Sequence, residues 1–339
     1  MPPIELAELF NWRALTEALN LIVPPESFVF DTIFNNVETH ASDTIDIDIL
    51  VGNKRLAPFV SPVEGGIVIS KLGGQLRTIK TPRLRMKLPL TANELLLERA
   101  PGSNLYVPGG GNVTDARNRR IALEQQNLKD RITRRTEFMA CKALSGGITV
   151  TQENISFNVD FLLPDDNKPV LSGPDKWDQA GSNPVEDIRA WKRLINQKTG
   201  LNADIAICGS KAVDAFLNNT VVKEILWNRR IDAGNIAITN SNFLGVLAGI
   251  QLYEYSAMYD DDSGTPQYLI PENTFVLISR QGRFVTHYGA ILDLESPVMG
   301  QYFSKMWLEE DPSVYWLLAE SRPLPTVHQP EAIVYATVV

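Results

Sequence analysis

Residues 114–145 place the strongest constraint on what this chain can fold into. Ile121, Leu128, Ile132 and Met139 recur at helical spacing, Thr114 or Asp115 can cap the start, and Gly146-Gly147 stands where a helix end favours glycine. A helix of about 30 residues is roughly 45 Å long, well beyond the usual globular length. One apolar stripe runs along it, and Arg117, Arg120, Arg131, Arg134 and Arg135 lie off that stripe. Such a rod needs a sheet or a second helix along its apolar side.

A second feature lies upstream. "IVISKLGGQLRTIKTPRLRMKLPL", residues 67–90, carries Lys71, Arg77, Lys80, Arg83, Arg85 and Lys87 and no acid. In "LRMKLPL", Leu84, Met86 and Leu88 alternate with Arg83, Arg85 and Lys87, the pattern of a half-buried strand. Gly73-Gly74 is a turn signal, so the segment is expected to form a long hairpin. An isolated hairpin is marginal in water and needs a surface to lie on. The whole chain carries a formal charge of −8, yet residues 67–145 hold fifteen Lys or Arg against six acids, leaving −17 on the rest. That asymmetry points to an acidic partner, either nucleic acid or another copy of the same chain. Residues 67–90 contain no aromatic residue to stack bases, which favours protein contact.

The remaining chain is mixed. Residues 5–20 suggest an amphipathic helix ended by Pro24-Pro25, and the following "ESFVFDTIFNNVETHASD" lacks a period and suggests an extended arm. "TIDIDIL" alternates Ile45, Ile47 and Ile49 with Asp46 and Asp48, so its acids form one edge. "PGSNLYVPGGGN" suggests a hinge, and "GITVTQENISFNVDFLL" a hairpin. Asn183 and Pro184 open a helix to about Lys198 that buries Ile188, Trp191, Leu194 and Ile195. "NADIAICG" suggests a buried strand and "SKAVDAFLNN" and "VVKEILWNRR" helices. The strands "IQLYEYSAMY" and "NTFVLISR" flank the tip "DDDSGTPQ", and "VYWLLAES" and "EAIVYATVV" close the chain.

Signals for chemistry are weak. Cys141 and Cys208 are too few and too far apart for a disulfide framework, which fits a reducing compartment. His40, His287 and His328 show no ligand or catalytic spacing. The "PGGGN" at 108–112 lacks the lysine of a phosphate loop, and "GSK" at 209–211 lacks its upstream glycine. The "DDDSG" at 260–264 lacks the spacing of a calcium loop. No apolar run approaches the roughly 20 residues of a membrane span, and no secretory leader is visible. The expectation is a chain that is not an enzyme, with no catalytic residue, cofactor or metal.

The order of parts is distinctive: arm, basic hairpin, glycine-rich hinge, long helix, mixed α/β region, closing strands. It resembles the major capsid proteins of tailed bacteriophages, in the phage lambda-like branch. "APFVSPVEGGIVISKLGG" is similar to the lead-in to that family's extended loop, and "DARNRRIALEQQNLKDRITRRTEFMACKALSGG" to its spine helix. "PVEDIRAWKRLINQKTGLNADIAICGSKAVDAFLNN", "YLIPENTFVLISRQGRFVTHYGAILD" and "ESRPLPTVHQPEAIVYATVV" follow in the same order, so the likeness runs from about residue 56 to the end.

The resemblance implies an α+β fold of the Hong Kong 97 type. It implies an N-terminal arm over 1–55 and an extended E-loop over 56–104. A P-domain would follow over 105–170 with its spine helix at 114–145, then an A-domain over 171–312 and returning strands over 313–339. It implies hexamers and pentamers tiling an icosahedral shell around double-stranded DNA, bound without sequence specificity. Assembly would take place in the bacterial host cytoplasm, with no membrane. Lys71, Arg77, Lys80, Arg83, Arg85 and Lys87 would then contact a neighbouring subunit, with Asp46 and Asp48 as candidate acidic partners. The short stretch before the E-loop leaves no room for a fused scaffolding segment, so a separate scaffolding protein is expected, with a portal and a cementing protein. The alternatives are an encapsulin-like nanocompartment shell, a cytosolic α/β enzyme and a DNA-binding protein using the basic hairpin.

Overall fold

The long helix forms over Val113–Leu144 in the computed structural model, which describes residues 12–21, 27–50, 74–91, 113–152, 155–228, 242–261, 263–293, 297–311 and 314–339. Ile121, Leu128, Ile132 and Met139 are all at most 5% exposed. The chain leaves the helix through Gly146, whose φ is +103° and whose added Cβ would lie 2.8 Å from the Leu163 Cβ. Only glycine accepts both that backbone and that approach.

Two compact units emerge. The first draws on Met1–Ile45, Ile79–Glu137 and Thr286–Pro325, and the second on Asp46–Thr78, Phe138–Val285 and Thr326–Val339. The long helix thus contributes its larger part to the first unit and its last turns to the second.

In the first unit, an antiparallel sheet runs in the order Phe303–Glu309, Val314–Ser321, Leu84–Thr91. The alternation in "LRMKLPL" turns Leu84, Met86 and Leu88 toward a core of Leu19, Leu90, Ile121, Leu128, Ile132, Tyr302, Leu317 and Ala319. The apolar side of the long helix therefore meets the apolar face of this sheet. The N-terminal helix Trp12–Leu21 supplies Leu19 to the same core. Its last-turn carbonyls are held by the buried Lys129, whose ammonium donates to Leu19 O at 2.7 Å and Asn20 O at 3.2 Å. Burial lowers the Lys129 pKa, with Asp130 opposing.

One expectation is corrected. The expected arm after Pro25 contains a helix, Phe28–Ile33, before a short strand, Val37–Thr39. Glu137 makes that helix possible: its carboxylate accepts from the backbone N–H groups of Val29 and Phe30, both at 2.8 Å. A carboxylate at a helix start satisfies donors that have no partner within the helix. It comes from a residue more than a hundred positions away, so no local pattern announces it.

The expected hairpin turns at Gly73-Gly74, so its first arm falls on undescribed residues, and its second arm is two strands. Residues 67–73 lie outside the described residues, and the strands Gly74–Lys80 and Leu84–Thr91 do not pair with each other. Gly74–Lys80 pairs with Thr44–Leu50, and Leu84–Thr91 pairs with Val314–Ser321. The apolar side of "LRMKLPL" finds a full core to cover in its own chain, which a two-stranded hairpin would not offer.

The second unit centres on a five-stranded sheet in the order Ile333–Thr337, Thr274–Ile278, Ile205–Cys208, Ile250–Glu254, Phe243–Leu247. Only Ile205–Cys208 and Ile250–Glu254 pair in parallel. The helices Pro184–Thr199 and Ser210–Asn218 flank a core rich in aromatics, where the Trp177 ring meets those of Trp191, Phe216 and Phe275, and Trp191 meets Phe275. Asn183 caps the first of these helices by accepting from the Glu186 N–H at 3.3 Å. Gly147–Gln152 and Ile155–Asp160 form the expected hairpin.

Candidate functional site

The outer face of the Leu84–Thr91 strand and its approach form a basic surface in the first unit. Lys80, Arg83, Arg85 and Lys87 are all exposed. Strand alternation puts the three residues from Arg83 to Lys87 on the side away from the core. The register then sets what lies beneath them, because Arg85 stands directly opposite Glu320.

Glu320 is only 1% exposed. Arg83 donates to it twice, Nε to Oε1 at 2.6 Å and Nη2 to Oε2 at 2.9 Å. That bidentate geometry is the strong form of an arginine–carboxylate pair, and the hydrogen bond to Glu320 raises the Arg83 pKa above its ordinary value. Arg85 Nη1 lies 3.4 Å from Oε2. Arg322, itself buried, lies 3.8 Å from Glu320 and 3.6 Å from Asp43. Lys80 reaches Asp43 at 3.2 Å, and that hydrogen bond holds the Asp43 carboxyl below the usual carboxylate range. The Lys87 ammonium sits 4.3 Å from the centre of the Trp316 ring. The surface is therefore an array of cations, with Lys80, Arg83, Arg85 and Arg322 seated on two acids of the same unit and Lys87 on an aromatic ring.

The remaining candidates are dispersed. In the second unit, Arg77 donates to the Asp160 carbonyl at 2.9 Å, and Asp46 accepts from the Thr78 hydroxyl. Lys71 and the Asp48 side chain lie outside the described residues. Within one chain, Glu320 faces Arg83 and Arg85, and Asp43 faces Lys80 and Arg322. Glu320 is an isolated acid in the apolar run "VYWLLAES", which was the available signal, but its register against Arg85 is set by tertiary pairing.

A cleft of about 450 Å³ in the second unit is lined by Trp177, Asp178, Lys211, Asp214, Asn218 and neighbours, with no histidine, cysteine or serine among its lining residues. Lys211 there is held by Glu272 at 2.7 Å. Cys208 is fully buried, and burial pushes its thiol far up, away from the reactive thiolate. The Asp261 carboxylate is occupied by its own turn, accepting from Ser263 and from the Thr265 N–H. Gly209 forms the turn from the strand Ile205–Cys208 into the helix Ser210–Asn218, its N–H donating to Thr274 O.

The fold defines the class first. Across 97% of this chain and 99% of the other, it matches a crystal structure ascribed to a prophage capsid protein of E. coli CFT073, with a TM-score of 0.70 at 20% identity. It also matches an encapsulin complex of Synechococcus elongatus PCC 7942, with a TM-score of 0.52 at 10% identity, over 93% of this chain and 88% of that one. These likenesses establish an α+β fold of the capsid type, related to Hong Kong 97-type structures. In sequence, the chain is 25% identical over 343 residues to the major capsid protein of Escherichia phage lambda, covering 94% of this chain and 97% of the relative. The family model for phage major capsid protein E matches residues 11–338, and the chain belongs to that family. It is a structural shell protein and not an enzyme.

Proposed function

We propose that the chain is the major head protein of a tailed phage, assembling as hexamers and pentamers into an icosahedral shell around double-stranded DNA. The family match over residues 11–338 carries this reading. The basic face supports it. Lys80, Arg83, Arg85 and Lys87 are exposed, the first three over Asp43 and Glu320 and Lys87 over the Trp316 ring. An acidic neighbouring subunit would complete their solvation, and complementary charge fixes register between copies more than it adds affinity.

In this reading the N-terminal arm spans 1–55 and the spine helix is Val113–Leu144 in the P-domain. The extended loop is rooted where Thr44–Leu50 pairs with Gly74–Lys80. The A-domain holds the five-stranded sheet. A separate scaffolding protein, a portal and a cementing protein are the expected partners, with assembly in the host cytoplasm.

The encapsulin likeness gives a second reading of the same fold, a shell with protein cargo. The content of purified particles separates the two. Particles from cells replicating the phage genome are expected to carry nuclease-protected double-stranded DNA. Shells that hold a protein cargo and no protected DNA would favour the second reading.

A further inference from the structure

Two histidines 247 positions apart meet in the first unit. The strand Val37–Thr39 pairs in parallel with Thr286–Tyr288, with Glu38 opposite His287. His40 follows two residues after Glu38, so strand alternation returns it to the same face. The His40 N–H donates to the Tyr288 carbonyl at 2.9 Å, which fixes that position. The Nε2 of His40 lies 2.8 Å from the Nδ1 of His287, and the Glu38 Oε2 lies 3.5 Å from the same Nδ1. One ligand atom from each of the three residues falls within 4.8 Å of the others. His287 is 3% exposed, whereas the Glu38 side chain is 41% exposed, so the cluster is walled on one side and open on the other.

We propose that Glu38, His40 and His287 form a binding site for one divalent transition-metal cation of the zinc type. Two imidazole nitrogens and one carboxylate oxygen are a ligand set that such cations favour, and they leave a fourth position for water. With metal–ligand bonds of about 2.0–2.2 Å, tetrahedral donors stand roughly 3.3 Å apart. The Glu38–His287 separation of 3.5 Å is already close to this. The two imidazoles need to part by about half an ångström, a small ring rotation. Their present contact is a hydrogen bond, so the ring that donates must move that proton to its other nitrogen, leaving both facing nitrogens free to coordinate.

The cation would clasp Val37–Thr39 to Thr286–Tyr288. That short strand lies between the helix Phe28–Ile33 and the strand Thr44–Leu50. A three-residue pairing holds by few hydrogen bonds, and two ligands from one strand and one from the other would staple it.

The test is a titration of the full-length, metal-stripped chain with Co2+, followed by its visible absorption. It does not depend on assembly, so its outcome is independent of the shell reading. One Co2+ per chain is expected, with an absorption band of tetrahedral type that Zn2+ abolishes, and a melting temperature raised by several degrees in excess metal. His40→Ala and Glu38→Gln change partly exposed residues and should leave the fold intact by circular dichroism. His40→Ala is expected to weaken binding at least tenfold and to remove the melting shift. Absence of saturable binding in the wild-type chain would overturn the proposal, and so would His40→Ala binding Co2+ with unchanged affinity and spectrum.

Discussion

Arg83 and Glu320, 237 positions apart, form a two-pronged ion pair at 2.6 and 2.9 Å, with the carboxylate buried and the guanidinium 41% exposed. The pair is asymmetric, because Glu320 also faces Arg85 and the buried Arg322. Removing the acid strands several cations, while removing Arg83 leaves the acid with others.

Glu320→Ala is therefore expected to cost the subunit about 3 kcal/mol, because it takes one of two acids from the buried Arg322. Arg83→Ala should cost less, roughly 1 kcal/mol, since Glu320 keeps Arg85 and Arg322 beside it. Urea denaturation of the unassembled chain measures both. Equal losses would show that Glu320 does not serve as the hub.

The same geometry changes what charge reversal means. Reversing Arg83 and Arg85 would place two acids over Glu320 and destabilise the subunit before assembly could be assessed. Lys80→Glu with Lys87→Glu is the cleaner probe, because these side chains form exposed contacts worth about 1 kcal/mol or less each. The double variant is expected to fold with near wild-type stability and to give a much lower yield of shells. A normal shell yield would detach this face from subunit contact.

Lys129→Met should loosen the N-terminal helix. It removes a charged donor from the Leu19 and Asn20 carbonyls, worth about 1.5–3 kcal/mol for bonds to a charged group. Limited proteolysis is expected to cut near Trp12–Leu21 faster in the variant. An unchanged cleavage rate would show that packing of Leu19 alone holds the helix.

Asp187 supplies a pH signature in the second unit. Burial raises its carboxyl pKa above the ordinary carboxylate value, Asp175 and Glu186 add to this, and the Trp177 Nε1–H at 2.9 Å opposes it. The folded chain then keeps this proton to higher pH than the unfolded chain, whose value is about 3.9. Its contribution to stability is complete below that value and is lost as pH rises through the folded pKa. Asp187→Asn still accepts from Trp177 and cannot ionise. Its stability should gain on the wild type as pH rises above about 4 and then run parallel. Curves parallel throughout would contradict the raised value.

Local periodicity carried much of the fold. The stripe from Ile121 to Met139, the Asn183–Pro184 helix start and the buried "IAIC" strand all lie where their patterns put them. The rest was non-local. The helix Phe28–Ile33 depends on Glu137 for its first donors, and "LRMKLPL" chose Val314–Ser321 as its partner. The basic residues of the surface were visible as a run, but their acids were not, because Glu320 and Asp43 reach them through strand register and a loop. His40 and His287 show the same limit: they lie 247 positions apart and meet only through a parallel strand pairing.

The central claim is that this chain builds a closed shell. The most direct measurement is negative-stain electron microscopy of the chain expressed with its scaffolding protein. Closed particles of uniform diameter with pentameric and hexameric units are the predicted result. Small discrete oligomers under the same conditions, from a chain folded by circular dichroism, would contradict it.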